Sequence, residues 1–417
     1  MTDDSPETLI LELARSLHAS GSPAYELDSQ MEQAAAAIGR SATFFSTPTA
    51  LFVTFDDERH GTRLLRVYPG DTNLGRYAEL FRLQQSIQDR SVSVHEAWNR
   101  LQEIQAMPDG YAKVVQIASY GIVGACVAVL VGGNYTVITS AGVIGLIIGA
   151  LVLGLSRLQY PPHLTNVIAG FVASAIACVI QSWIAPSNFE LTALSALIVL
   201  VPGLQLTISI NELATQNLAS GSARIAGAMT TLLTLIFGVY MGYGFVAALH
   251  PIPVSVAPHT PSLLASASVM VPIGLCLAVL FRTRYRDIPW LLVSTLISYG
   301  TLRLAGEYFS PFAAVWIASV VAGVISRLLS RRLRLPAAVL LMPALILLVP
   351  GSLGFTGLAQ IMLREDLPSG IRLLTTMLMT AVAIVAGQLV TDVIAPDRNR
   401  REPPADKSRL RACTSKD

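Results

Sequence analysis

Two seven-residue stretches, LIVLVPG at 197–203 and LILLVPG at 345–351, end an apolar run in proline followed by glycine. Pro202 and Pro350 lack an amide donor and clash with the preceding helical turn. Gly203 and Gly351 then permit backbone angles closed to other residues. Each pair breaks a helix and releases carbonyls and amides. Free backbone at membrane depth is tolerated only where protein buries it or a wet cavity borders it. Both breaks are therefore candidate binding points, and a plain packing kink is the other reading. Gln205, Asn211 and Glu212 follow the first break, and Ser352 follows the second. A carboxylate at the end of an apolar span is costly unless paired or hydrated. Arg224, twelve residues beyond Glu212, is its candidate ion-pair partner; the alternative places Glu212 in a cytoplasmic turn. The expected substrate-binding set is Pro202, Gly203, Gln205, Asn211, Glu212, Pro350, Gly351 and Ser352.

Other chemistry finds little support. Asp56 to His60 is a charged turn between two predicted strands, a pattern usual for solvated loop, and His18 and His95 have no convincing partner. His95-Glu96 lacks the second histidine of HExxH. Cys126, Cys178, Cys276 and Cys413 lie far apart without metal-ligand spacing and read as inert thiols, three of them in apolar runs. There is no glycine-rich phosphate loop or Walker motif. Neither catalytic residues, a metal nor a cofactor is expected.

Stepping outward to the elements that position these residues, 53% of the 417 residues are hydrophobic and only 13% are charged. Mean hydropathy is +0.56. A soluble domain carries about 25% charge, so an ordinary cytosolic enzyme is disfavoured, and hydrophobicity excludes disorder. A formal net charge of +2 with no basic stripe argues against nucleic acid. A helix needs about 20 apolar residues to cross the hydrocarbon core. Ten candidates lie near 113–132, 136–155, 164–185, 191–210, 223–249, 262–281, 288–305, 309–329, 336–356 and 371–394. The acidic N-terminus MTDDSPETLI is not a signal peptide. With the N-terminus inside, Lys113, Arg157, Arg224, Arg282, Arg284, Arg286, Arg327, Arg331, Arg332 and Arg334 gather on the cytoplasmic side. Arg303, Arg364 and Arg372 alone fall outside, so both termini are expected in the cytoplasm of an inner-membrane protein. Trp183 and Trp290 read as interfacial anchors, Gln181 and Gln388 as helix–helix hydrogen-bond glue, and Asp392 as reaching the interface.

The two VPG stretches are 148 residues apart, and LASGSAR at 218–224 corresponds to LPSGIR at 367–372. Shifting the first span by that distance lands on the sixth. Five spans per unit is an odd number, so the second unit enters the membrane upside down, as in the inverted repeats of secondary transporters.

Residues 1–110 read as a small cytoplasmic α/β domain, with helices near 6–19, 23–38, 73–89 and 93–106 and strands near 42–46, 50–55 and 62–68. About 110 residues suffice for one core. The fold expected is an α-helical polytopic membrane protein: this domain, five-helix modules at 111–250 and 251–396, and a disordered cytoplasmic tail at 397–417.

SGSPAYELDSQMEQAAAAIGRSATFFSTPTALFVTF, TRLLRVYPGDTNLGRYAEL and LVPGLQLTISINELATQNLASGSAR together resemble the threonine/serine exporter family. LLVPGSLGFTGLAQIML and PSGIRLL resemble its second module, so the resemblance covers about residues 8–395. It implies a non-enzymatic amino-acid export carrier with a cytoplasmic N-terminal domain and ten spans. The expected partners are a small-molecule substrate and the lipid bilayer, with room for homo-oligomers. The expected function is export of threonine or serine by alternating access. The alternatives are export of a small dicarboxylate such as succinate, a membrane-anchored enzyme working in the N-terminal domain, and a passive channel or scaffold.

Overall fold

The computed structural model describes residues 5–56, 61–67, 72–108, 110–348 and 351–396. The Asp57–His60 part of the charged turn, Pro350 and the tail with Cys413 lie outside the described residues.

The N-terminal segment opens with α1 (Pro6–Ala19), where Ser5 accepts the Thr8 amide at 3.3 Å and Pro6 supplies a pre-set φ. Helix α2 (Ala24–Ala37) starts directly after Pro23. Strands β1 (Ala42–Thr47), β2 (Ala50–Phe55) and β3 (Arg63–Arg66) form an antiparallel meander, with Thr47 opposite Ala50 across the tight Pro48-Thr49 turn. Ala42, Phe44 and Ser46 of β1 point inward while Thr43 and Phe45 point out, the period-two pattern of a half-buried strand. Helices α3 (Leu74–Gln88) and α4 (Val94–Gln105) follow, capped by Asn73 and Ser93.

The apolar array begins with α5 (Lys113–Leu130), α6 (Tyr135–Arg157) and α7 (Pro162–Val179), the last extended by one π-helical turn to Ile184. Next come α8 (Phe189–Leu197), α9 (Gly203–Ala214) and α10 (Leu218–Leu249). The remainder is α11 (Leu263–Ser268), α12 (Met270–Leu280), α13 (Ile288–Tyr308), α14 (Pro311–Leu333), α15 (Ala337–Leu348), α16 (Gly351–Arg364) and α17 (Leu367–Ile394). Among the described residues nine helical stretches are long and apolar enough to cross a membrane, and ten if the bent pair 189–200 and 203–214 is one span. The chain is thus a multi-pass membrane protein. Helices α7, α8, α9 and α10 start 148 or 149 residues before α14, α15, α16 and α17. The turns before α10 and α17 carry left-handed residues at matching places, Gln216 (φ 65°) and Glu365 (φ 56°).

The N-terminal segment is seated on one end of this array. The Leu74 amide donates to the Phe281 carbonyl at 2.9 Å, and the Tyr111 hydroxyl donates to Thr283 O at 2.6 Å. Glu79 pairs with Arg284 at 2.7 Å and with Arg286 at 2.5 Å. The hydrophobic core of the segment is not closed on itself. Leu9, Leu13, Leu27, Met31 and Leu80 form one continuous cluster with Leu335, Ala338, Val339 and Met342 at the start of α15. At the other end, residues 250–262 fold back over the array. The His259 amide donates to Gly132 O at 2.9 Å, and Gln181 Nε2 donates to Pro253 O at 2.6 Å.

Gly75 sits where the seat is tightest: a Cβ there would stand 2.4 Å from the Arg282 carbonyl oxygen. Gly75→Val is expected to cost about 1–3 kcal/mol by overpacking, lowering Tm and speeding proteolysis of the N-terminal segment in the purified full chain. An unchanged Tm would contradict this docking.

Candidate functional site

The first helix break has the geometry its residues dictate. Val201 is extended (φ −69°, ψ 122°), Pro202 has φ −80° and ψ 43°, and the chain turns by 56° before α9 begins. The Gly203 amide is taken up by Val201 O at 2.8 Å. Gly351, which starts α16, lies against this turn. A Cβ on Gly351 would come within 3.0 Å of Val201 Cγ1 and 3.1 Å of Gly203 Cα. Gly351 therefore meets the first break so closely that an added side chain would push its neighbours by a few tenths of an ångström.

A cavity of about 60 Å³ opens one residue beyond the contact, room for a few water molecules. One face of α9 lines it with Leu204, Thr207, Ile208 and Asn211, the i, i+3, i+4, i+7 positions that share a helix side. Across from it, α15 presents Ala338, Leu341, Met342 and Leu345. Three charged side chains complete the lining: Arg327 of α14, Asp392 of α17 and Glu26 of α2. Arg327 and Asp392 form an ion pair, and Arg327 Nη1 also donates to Ala395 O at 3.0 Å. Glu26 Oε2 accepts from the Tyr77 hydroxyl at 2.9 Å, and Tyr77 is fully buried. Gln388 lines the cavity and ties α17 to α14, its Nε2 donating to Ser319 O at 2.9 Å.

Behind α9 lies a second polar cluster, centred on a buried carboxylate. The Glu212 carboxylate is completely buried. It accepts from Arg224 Nε at 3.0 and 3.1 Å, from Ser220 Oγ at 2.8 Å and from the Ala24 amide at 3.3 Å. The last donor belongs to the first turn of α2, whose dipole favours an anion. Glu212 thus ties α9 to α10 and both to the N-terminal segment. Asp28 lies near. Its Oδ2 accepts from the Ser46 amide at 3.3 Å, and burial pushes its carboxyl up to about 7; the Ser46 hydrogen bonds pull it down, while Glu32 and Glu212 push it further up. His18, on the same side, is pulled below the ordinary histidine value by burial, against the hydrogen bond to Thr47 O at 2.8 Å. Among the described residues no group of three or more His, Cys, Asp or Glu is placed to hold a metal ion.

A threonine/serine exporter family model matches residues 8–246, and a second model of the threonine/serine exporter matches residues 267–394. The chain belongs to the threonine/serine exporter family. The family is one of transporters, not of enzymes. The chain is 26% identical to the threonine/serine exporter of Corynebacterium glutamicum, over 80% of its own length and 69% of that protein's. It is 23% identical to pheromone-regulated membrane protein 10 of Pichia sorbitophila and 25% identical to that of Candida albicans, covering 83% of this chain in each case. In these fungal relatives it spans only 36% and 32% of their length. No solved structure matches.

In this member of the exporter family, the residues expected to bind substrate divide into three groups. Asn211 lines the cavity. Pro202, Gly203 and Gly351 are buried at the crossing beside it. Glu212 is held behind it with Arg224, which settles the pairing of these two groups in favour of an ion pair. Gln205 is exposed and does not line the cavity, since the opposite side of α9 carries Leu204, Thr207, Ile208 and Asn211. Ser352 is half-buried and does not line the cavity, and Pro350 lies outside the described residues. Asp392, two residues before the end of α17, pairs with Arg327 in the cavity lining. Gln388 does join two helices, and Gln181 accepts from the Phe189 amide at 2.7 Å, so it caps α8 as well. Sequence reasoning did not find Thr207, Arg327 or Glu26. Thr207 had a usable signal, its i, i+4 spacing to Asn211; Arg327 was read only as a basic loop residue.

Two outcomes follow. Arg224→Ala leaves a buried carboxylate without its cation and is expected to cost about 3 kcal/mol or more, with Glu212→Ala/Arg224→Ala regaining much of it; equal melting of the single variant and wild type would contradict the pairing. For Asp28, the unfolded chain ionises near 3.8 whereas the folded chain holds its proton to about 7. The folded state binds the extra proton between those values, so stability falls as pH rises from about 4 to about 7 and levels off above. Asp28→Asn is expected to remove that slope from a Tm-versus-pH curve, and an identical slope in both proteins would contradict it.

Proposed function

We propose that the chain is a secondary exporter of threonine, serine or a closely similar small amino acid, working by alternating access across the cytoplasmic membrane. The observation that carries this reading is the meeting of the Pro202-Gly203 break with Gly351 beside a cavity lined by Thr207, Asn211, Arg327 and Asp392. The 26% identity to a threonine/serine exporter supports the substrate class.

In this reading the matching helix starts mark two five-helix units of opposite direction. The N-terminal segment, the Arg282–Arg286 loop and the Arg331–Arg334 turn share the cytoplasmic end, in keeping with the excess of basic residues there. The loop at 250–262 then faces outward. The two halves are not chemically alike. Shifting Thr207 and Asn211 by the repeat distance gives Phe355 and Ala359. Both are buried in an apolar cluster with Leu194 and Leu197. Thus the inner half holds a polar cavity while the outer half is packed shut, with Arg364 and Glu190 paired at 2.7 Å above it. Transport exchanges the two: the outer cluster parts as the cavity closes, and the paired breaks serve as the hinge. With no Walker motif in the sequence, an ion gradient or the membrane potential supplies the energy.

The test is efflux from proteoliposomes loaded with labelled threonine, serine or succinate. Threonine or serine is expected to leave and succinate to stay; succinate efflux alone would contradict the amino-acid assignment. Gly351→Val, which places a side chain against Gly203, is expected to reduce amino-acid efflux at least about tenfold, the loss from roughly 1.4 kcal/mol of added barrier, with normal membrane insertion. Unaltered efflux would remove the breaks from the mechanism.

A further inference from the structure

The seam between the N-terminal segment and the membrane array holds a second and larger cavity, a groove of about 560 Å³ that the exporter reading does not use. Arg82 of α3, Arg286 and Asp287 of the loop between α12 and α13, and Arg334 at the end of α14 line it. Trp290, in the first turn of α13, forms its apolar edge.

Its charges are fixed by contacts across the seam. Arg82, Arg284 and Arg286 all pair with the one carboxylate of Glu79, the last two at 2.7 and 2.5 Å. Arg82 Nη2 and Arg286 Nε stand 3.8 and 3.9 Å from Asp287 Oδ1, too far for hydrogen bonds. Asp287 is itself buried, only 4% exposed, and its Oδ2 has no hydrogen-bond partner. A buried acceptor left without a donor is costly, so the groove lacks something that donates. Asp89 also lines it, and Arg334 is exposed. Arg82, Arg284, Arg286 and Arg334 thus face Glu79, Asp89 and Asp287, one positive charge in excess.

The position of the groove selects among anions. Both α13 and α14 are membrane spans, and the groove lies where one begins and the other ends. Tryptophan favours that level of a bilayer. Trp290, Val293 and Ile297, at i, i+3 and i+7, are exposed on one face of α13 and carry an apolar stripe from the groove along the span. A phosphate monoester brings nearly two negative charges; a phosphodiester brings one, the number that balances the seam.

We propose that this groove holds the headgroup of a phospholipid with a single negative charge and free hydroxyls, its phosphodiester taken by Arg82 and Arg286, a headgroup hydroxyl donating to Asp287, and its chains lying along the Trp290–Ile297 stripe. Arginine suits this role, because its planar fork keeps donors for a phosphate while one nitrogen holds Glu79. A lipid so placed touches both α3 and the array, and reinforces the docking of the N-terminal segment from the bilayer side. The site stands apart from the exporter reading and requires only the membrane spans.

The experiment titrates phosphatidylglycerol, phosphatidylcholine or phosphatidylethanolamine, at equal mole fraction, into the delipidated full chain in an uncharged detergent. High salt screens diffuse attraction, and the rise of Tm reports binding. Phosphatidylglycerol is expected to bind roughly tenfold tighter than either zwitterionic lipid; equal or tighter binding of one of those would overturn the proposal. Arg334→Gln, at an exposed helix end, is expected to weaken phosphatidylglycerol binding roughly tenfold, the loss of a hydrogen bond to a charged group. Arg332→Gln removes the same charge two residues away and outside the lining, and is expected to bind as wild type. Equal weakening in the two variants, or none in Arg334→Gln, would overturn the site. Glycerophosphoglycerol, the same headgroup without chains, is expected to leave Tm unmoved at the same concentration; a rise equal to that with the lipid would assign the groove to soluble phosphodiesters and overturn the lipid. Efflux of threonine or serine tests the exporter reading separately, and neither result decides the other.

Discussion

Backbone groups that lose their helical partners inside a bilayer have no water to turn to, and the architecture follows from how this chain meets that constraint. At the first break, Pro202 has no amide to satisfy and the Gly203 amide folds back on Val201 O. Gly351 covers the turn so closely that a Cβ there would stand 3.0 Å from Val201 Cγ1. The turn between α8 and α9 is thus packed against protein at Gly351. The cavity opens beside that crossing because α9, freed from the axis of α8, leans away and exposes its Thr207–Asn211 face.

The same bend explains why the N-terminal segment is bound so firmly to the membrane array. Helix α9 ends in a fully buried carboxylate that needs several donors, and the array supplies Arg224 and Ser220. The third is the first turn of α2. The start of α15 has an apolar face, and Leu9, Leu27 and Met31 cover it. Docking therefore satisfies one charge and one hydrophobic face together. It also places Glu26 at the cavity wall. A segment that looks in isolation like a separate regulatory unit shares its core, its buried ion pair and its cavity with the transporter body.

Much of the array was legible in the sequence. Hydropathy alone located the ten stretches, since a long apolar run admits few readings. The VPG recurrence identified the breaks, because proline and glycine act locally. The Glu212–Arg224 pair was also legible, being close in sequence across one turn. What escaped depends on tertiary placement. The orientation of α9 is set by its packing on α10 and α17, so nothing local told Gln205, which is exposed, from Thr207, which lines the cavity. Arg327 and Asp392 come from different helices, and Glu26 from outside the array altogether. The Arg327–Asp392 pair joins residues 65 apart in the chain, a separation at which local patterns carry no signal.

The account stands on the two halves running in opposite directions through the membrane. Gln216 and Glu365 mark this most directly, since they occupy matching left-handed turns and both are exposed. Single cysteines at these positions, in a chain otherwise free of cysteine, can be challenged with a membrane-impermeant thiol reagent in intact cells and in inverted vesicles. The account predicts labelling of position 365 only in intact cells and of position 216 only in inverted vesicles. Labelling of both from the same face would contradict it.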